Sequence, residues 1–240
     1  LSGMISDSHG ILYRSIGNPY SHLQRGVNSF IVIAMEHASS RPARKTGRPL
    51  SFDRERALEQ AMLLFWRHGY EATSLNELTA AMGITSPSIY TAFGDKKRLF
   101  LEAVGRYLSG PVTSETIIAD ANSAREAASN LLRSSAIGFT GADTPPGCLL
   151  ASSAISCSAA AIDVQRELAA IRLSIETRLR DRIVTGIEAG ELPAATGAEA
   201  LSAHVMAVIQ GMSTLARDGA SREKLLWVAD AAMAAWPAPN

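Results

Sequence analysis

The chain has 240 residues, 47% hydrophobic and 19% charged, a composition that fits a globular protein of one large domain or a small one joined to a larger one. No apolar run nears the roughly 18 residues that a membrane-crossing helix needs; the longest, 30–35, stops far short. Two cysteines, Cys148 and Cys157, are too few for a disulfide framework, so a reducing cytoplasm is the expected compartment. The 23 basic and 23 acidic side chains cancel, but not evenly along the chain. Residues 41–106 carry 11 Lys/Arg against 7 Asp/Glu, a net +4, and residues 107–240 carry 10 against 14, a net −4. A basic segment on an acidic remainder is the asymmetry expected where only one part of a chain faces phosphate.

Residues 1–34 mix Ser, Gly, His and Tyr without a sustained period, and show neither the basic start nor the apolar core of a signal peptide. Met35 is read as the natural initiator and 1–34 as an upstream extension. Residues 39–49 form a basic arm (Arg41, Arg44, Lys45, Arg48) interrupted by Pro42, Gly47 and Pro49, so 1–50 is expected to be extended and flexible. From Ser51 the period becomes helical. Over 52–68, Ala57, Leu58, Ala61, Leu64 and Phe65 share one face and Gly69 supplies the stop. Ser74 and Glu77 stand in capping-box register before a helix that turns Leu75, Leu78 and Met82 inward and ends at Gly83. Thr85 caps a short helix through Phe93, with Pro87 tolerated in its first turn, and Gly94 breaks it. Asp95 then caps a fourth helix that buries Leu99, Phe100, Ala103, Val104 and Tyr107. After Pro111, helices are predicted near 123–140, 148–158, 163–190, 196–218 and 221–236, with a loop at 143–147 and a turn at 190–193. There is no strand-like run of length and no internal repeat, so the fold class is all-α.

Two short helices joined through Gly83 make a helix-turn-helix, in which the second helix enters the major groove and the first braces the backbone. Here that second helix, 85–93, turns Ser86, Ser88, Tyr90 and Thr91 outward while Ile89 and Phe93 pack inward. Hydroxyls and a phenol can donate to phosphates or base edges without the bulk of arginine. Enzyme chemistry has no comparable signal: there is no Gly-rich phosphate loop, no nucleophile elbow and no carboxylate/His cluster at metal spacing, hence no catalytic residue, metal ligand or cofactor. A helical scaffold that binds protein alone would leave the basic segment unexplained.

Across 47–107 the A-x-x-L-F-x-x-x-G-Y motif (Ala61 to Tyr70) is followed in order by Thr73 and Ser74, then Gly83, Ile84 and Thr85, then Ile89, Tyr90 and Phe93, and finally Lys96 and Leu99. This stretch resembles the N-terminal domain of the TetR/AcrR repressors. The resemblance implies that Tyr90 and Thr91 contact bases or phosphates and that Thr85 caps the recognition helix and touches phosphate. It implies that Thr73 and Ser74 meet the opposite strand's backbone, that Lys96 binds phosphate, and that Arg48 in the arm enters the minor groove. Ser86 and Pro87 depart from the Lys-Gly or similar pair of many members, so a phosphate contact from Ser86 is not carried by the motif.

The same resemblance implies a larger C-terminal domain that holds an effector and dimerises through its last two helices. The expected organisation is a DNA-binding head over 51–108 and a ligand-binding, dimerising body over 109–240. Leu201, Val205, Val208, Ile209, Met212 and Leu215, with Leu225, Val228, Ala229, Ala232, Met233 and Trp236, form two apolar faces. Ala203, Ala207, Gly211, Ala231 and Ala235 would allow close helix approach. Two half-sites of a palindromic double-stranded operator require two recognition helices, hence a homodimer. The Ala-rich interior favours a small, largely apolar effector. Cys148 and Cys157 offer the alternative of a thiol-responsive regulator. A metal-responsive one would call on residues such as His204, Met206 and Met212, which lack paired-ligand spacing.

Overall fold

The structure, a computed structural model, describes residues 52–154 and 157–238, together with the strands β1 (Met4–Ser6) and β2 (Leu12–Arg14). The chain divides into two compact units, Leu1–Pro49 and Leu50–Asn240. In the first, β1 and β2 pair antiparallel with Ile5 opposite Tyr13. Each strand is three residues long, and alternation this short gives no sequence signal. Met35 and the arm residues Arg41, Arg44, Lys45 and Arg48 lie outside the described residues.

Among its described residues the second unit is all-helical. Its first four helices are α1 (Arg54–His68), α2 (Leu75–Met82), α3 (Ser86–Phe93) and α4 (Lys96–Leu108). Each begins where a side chain can take up orphaned amides or the chain must turn. Asp53 accepts from the amides of Glu55 and Arg56, Ser74 from that of Glu77, and Asp95 from that of Arg98. Gly83 ends α2 in the left-handed region at φ 66°, which sets the tight turn into α3. Helix α1 packs against α2 and α4. Between them Phe65 meets the edge of Phe100 at 5.0 Å, and Trp66 that of Tyr107 at 4.9 Å.

The body contains α5 (Ser114–Ala119), α6 (Ala124–Gly138), α7 (Leu149–Ser152), a 3₁₀ turn (Ala159–Ala161), α8 (Ile162–Glu188), α9 (Ala198–Arg217) and α10 (Arg222–Ala234). Four of these match the predicted segments. Helix α5 does not, although Thr113 and Thr116 form its reciprocal cap and Ile118 is buried. The helix expected over 148–158 is corrected to the four residues of α7. In this serine-rich stretch the hydroxyl of Ser152 bonds back to the carbonyl of Cys148. The carbonyl of Ser153 is taken by the amide of Tyr70 beyond the end of α1, so the backbone finds partners outside a helix.

Two hydrophobic cores result. One joins α5, α6, α9, α10 and the C-terminal half of α8. The other contains the interior of α1–α4 and also Leu149, Leu150, Ala154, Val164 and Leu168 from the body. Cys148 and Ile175 touch both.

Candidate nucleic-acid interface

The surface that presents α3 is built from its buried side outward. Ile89 and Phe93 are 0% and 3% exposed, which fixes the rotation of the helix about its axis. Pro87, Tyr90 and Thr91 therefore fall on the outward arc, and Tyr90 is 52% exposed, unusual for a ring of that size. Arg54 of α1 steadies the other end of α3. Its guanidinium lies 4.4 Å from the centre of the Phe93 ring, donates to the carbonyl of Ala92 at 3.3 Å and pairs with Glu102 at 2.5 Å. A cation at a helix C-terminus is favourable. Nothing in the local sequence marks Arg54 for this, because its partners lie 38 and 48 residues away.

The expected contact residues do not all reach the surface. Thr73 is completely buried, its hydroxyl donating to the carbonyl of Gly69 at 2.6 Å, so its side chain braces the approach to α2. Ser74 is exposed and forms the capping box, accepting from the Glu77 amide at 3.2 Å while Glu77 accepts from the Ser74 amide at 2.7 Å. That bond holds the Glu77 carboxyl below its ordinary pKa. Thr85 occupies the cap position of α3 but makes no side-chain cap bond; its hydroxyl lies 3.0 Å from that of Ser88. The first amides of α3 are thus left to an outside acceptor. Ser86 and Ser88 flank the arc, half-buried. The Thr91 hydroxyl donates to the Pro87 carbonyl at 2.9 Å and leaves its oxygen free to accept.

Lys96 opens α4 beside this surface. Its ammonium sits 4.7 Å from the centre of the Tyr70 ring and 3.4 Å from the carbonyl of Glu71. Partial burial lowers its pKa, against the opposing pull of Glu71 and Glu77. Lys97 points elsewhere, into an ion pair with Asp163 of α8. Ser74 and Lys96 are linked through Glu77, which bonds to the first and attracts the second, and α3, which carries Tyr90 and Thr91 and starts beside Thr85, packs against both α2 and α4.

Of the two sensor candidates, Cys157 lies within reach of Glu71, whose carbonyl also holds Lys96, and Cys148 lies in the body. Cys148 caps α7 by position, and its sulfur accepts from the Tyr107 hydroxyl at 3.4 Å. Burial pushes both the Cys148 thiol and the Tyr107 phenol up. Cys157 is pushed up too, by burial and then by the Glu71 carboxylate. The thiolate is the reactive form, and both shifts oppose its formation. Among the described residues no three His, Cys, Asp or Glu side chains gather as a metal site.

Known proteins share the sequence and fold of this chain. Residues 57–103 match the family described as bacterial regulatory proteins, tetR family, and residues 130–231 match the tetracyclin repressor-like C-terminal domain. Over 193 residues the chain is 35% identical to the HTH-type transcriptional repressor ComR of Escherichia coli (strain K12), a match covering 80% of this chain and 92% of that protein. This chain belongs to the TetR family. The TetR-family chain is also 29% identical over 197 residues to the HTH-type transcriptional repressor BdcR of the same strain, covering 82% of this chain and 94% of that protein. Among solved structures it resembles a cysteine-substituted TetR family regulator, CifR, in complex with 26-base-pair double-strand operator DNA. That match has a TM-score of 0.76 and 40% identity, and covers 80% of this chain and all of that one. As a TetR-family member the chain is a DNA-binding transcriptional regulator and not an enzyme. No helix of the described residues is long and apolar enough to cross a membrane.

Proposed function

We propose that this TetR-family chain is a cytoplasmic homodimeric repressor that holds a palindromic operator with one α3 from each protomer and releases it when a small apolar effector enters the body. The observation that carries the DNA reading is the exposed Tyr90 on a short helix whose opposite face is completely buried. Tyr90 and Thr91 meet base edges or phosphates, and Ser74, Thr85 and Lys96 hold the flanking backbone. Ser86 and Ser88 lie at the margins. Arg48 remains an arm contribution to the minor groove. The dimer reading rests on an open face of α9 and α10. Ala203, Ala207, Gly211 and Ala231 are exposed there, Trp227 is 63% exposed, and a Cβ added at Gly211 would meet nothing within 4 Å.

We place the effector at the seam between the two cores, which Cys148 and Ile175 both border and where the Tyr107 hydroxyl reaches the Cys148 sulfur. Parting that seam would displace α4 and α8 together and separate the heads. The effector acts by favouring the arrangement that binds DNA weakly.

Fluorescence anisotropy on DNA selected from a randomised double-stranded pool tests the DNA reading. Wild type binds with an affinity that falls steeply as salt rises. Tyr90→Ala loses about 10- to 100-fold in affinity while its melting temperature stays within experimental error. Unchanged affinity in that variant would remove α3 as the reader.

A further inference from the structure

The end of α1 is held by a residue of the body's penultimate helix. The last carbonyls of a helix have no intrahelical partner. In α1 those of Trp66 and Arg67 accept from the two terminal nitrogens of Arg217, at 3.2 and 2.9 Å. The same guanidinium donates to the Ser152 hydroxyl of α7 at 3.3 Å. One rigid fork thus spans three elements, with its charge at the negative end of the α1 dipole.

A second tie closes the loop. The buried Trp66 indole N–H donates to the carbonyl of Gly147 at 3.0 Å, in the turn that leads into α7. Gly147 has φ 81°, and a Cβ there would lie 2.8 Å from the Ser213 carbonyl and 2.9 Å from Cγ of Arg217. The next amide, that of Cys148, donates to the Ser213 hydroxyl at 2.8 Å. The turn is therefore pressed against α9, and Trp66 against the turn.

Arg217 stands on α9 only six residues past Gly211, about 9 Å along the helix from the open face described above. We infer that Arg217 and Trp66 are positioning residues that lock the DNA-binding head to the dimer helix and so set the half-site spacing the dimer accepts, an inference that rests on the dimeric DNA-binding reading. In a locked dimer, one base pair added at the dyad displaces a half-site by about 3.4 Å and turns it out of phase. With the lock released, each head can follow its half-site independently.

The test uses the full chain and the DNA selected by wild type, resynthesised with one base pair inserted or deleted at the dyad. Wild type is expected to lose at least about tenfold on the altered spacings. Arg217→Ala is expected to bind the original spacing more weakly, yet to lose less than about threefold between spacings, while remaining dimeric by sedimentation. Arg217→Lys keeps the charge without the fork and should fall between the two. Trp66→Phe keeps an aromatic ring in the core but removes the N–H that bonds to Gly147, along with part of the buried indole, so it should shift the ratio in the same direction and serves if Arg217→Ala folds poorly. A loss equal at every spacing, or a wild-type ratio in both Arg217→Ala and Trp66→Phe, would overturn the lock and leave DNA binding standing. Failure of wild type to select any DNA would overturn the DNA reading and the lock with it.

Discussion

The helices of head and body share side-chain caps, at Thr113, Ser123 and Ser221 in the body as at Asp53, Ser74 and Asp95 in the head, but differ in how close their stops and ties lie along the chain. In the head, α1, α2 and α4 begin with a side-chain cap, α1 through α3 end at glycines, and each stop lies within a few residues of the next cap. In the body, the decisive contacts join distant segments: Glu191 reaches the start of α6, and Arg217 reaches the end of α1. Even so the head does not close on itself, because Leu149, Leu150, Val164 and Leu168 complete its core. The locally encoded region is thus completed by the region that is encoded at long range, which makes the reading surface sensitive to the body.

The largest expected effect breaks the apparent independence of the head. Leu168 belongs to α8 but is fully buried in the core that contains Phe65 and Phe100. Leu168→Ala should cost about 2–5 kcal/mol in denaturant unfolding. It should also lower hydrogen-exchange protection in α1 and α4 along with α8. Protection lost in α8 alone would mean that the head folds as a separate unit.

Next in size is a change on the body's surface. Trp227 contributes nothing to either core, so Trp227→Glu should leave the melting temperature of the isolated protomer unaltered. If α9 and α10 meet their mates, dimer affinity should fall by more than about 30-fold, the loss expected at a central aromatic anchor. DNA affinity would fall with it. A sedimentation profile identical to that of wild type would move the interface elsewhere.

How much was legible follows the same division. The caps Ser74 and Asp95 and the stops Gly69, Gly83 and Gly94 act on their own helices and were legible, whereas Thr85 holds the cap position without a cap bond and Asp53 was not foreseen. On α3 the buried pair Ile89 and Phe93 left Tyr90 and Thr91 exposed as expected, but Ser86 and Ser88 are half-buried and Pro87 takes the exposed place between them. Thr73 was misplaced because its burial depends on how the chain passes from α1 to α2. The overlong helix at 148–158 failed for a related reason: the partner of the Ser153 carbonyl is 83 residues away, and no local pattern reveals it. Arg54 and Arg217, which hold the two ends of the reading head, were invisible for the same cause.

A smaller change separates two roles for one residue of the head. Ser74→Ala removes half of a capping box and should cost about 1 kcal/mol, or about 2–4 °C in melting temperature. The remaining bond from the Ser74 amide to Glu77 should survive. DNA affinity measured well below the melting transition then isolates any phosphate contact from the hydroxyl. A loss there beyond about threefold assigns Ser74 to the DNA as well as to the helix.

The smallest effect probes the long-range side through pH. Glu191 accepts from the Ala124 amide at 2.7 Å and pairs with Arg182 at 3.0 Å, so one carboxylate caps α6 and ties down the end of α8. The backbone bond, and after it Arg182, holds its pKa below the ordinary carboxylate value. The folded form therefore binds this proton less readily than the unfolded chain does, and the stabilisation is complete above the unfolded pKa. It is lost as pH falls through the lower, folded value. Glu191→Gln should accordingly be less stable than wild type at neutral pH, by at most about 1 kcal/mol. The difference should narrow as the solution is made acid. Denaturant midpoints across that range provide the measurement, and a difference that stayed constant with pH would show that Glu191 acts through shape alone.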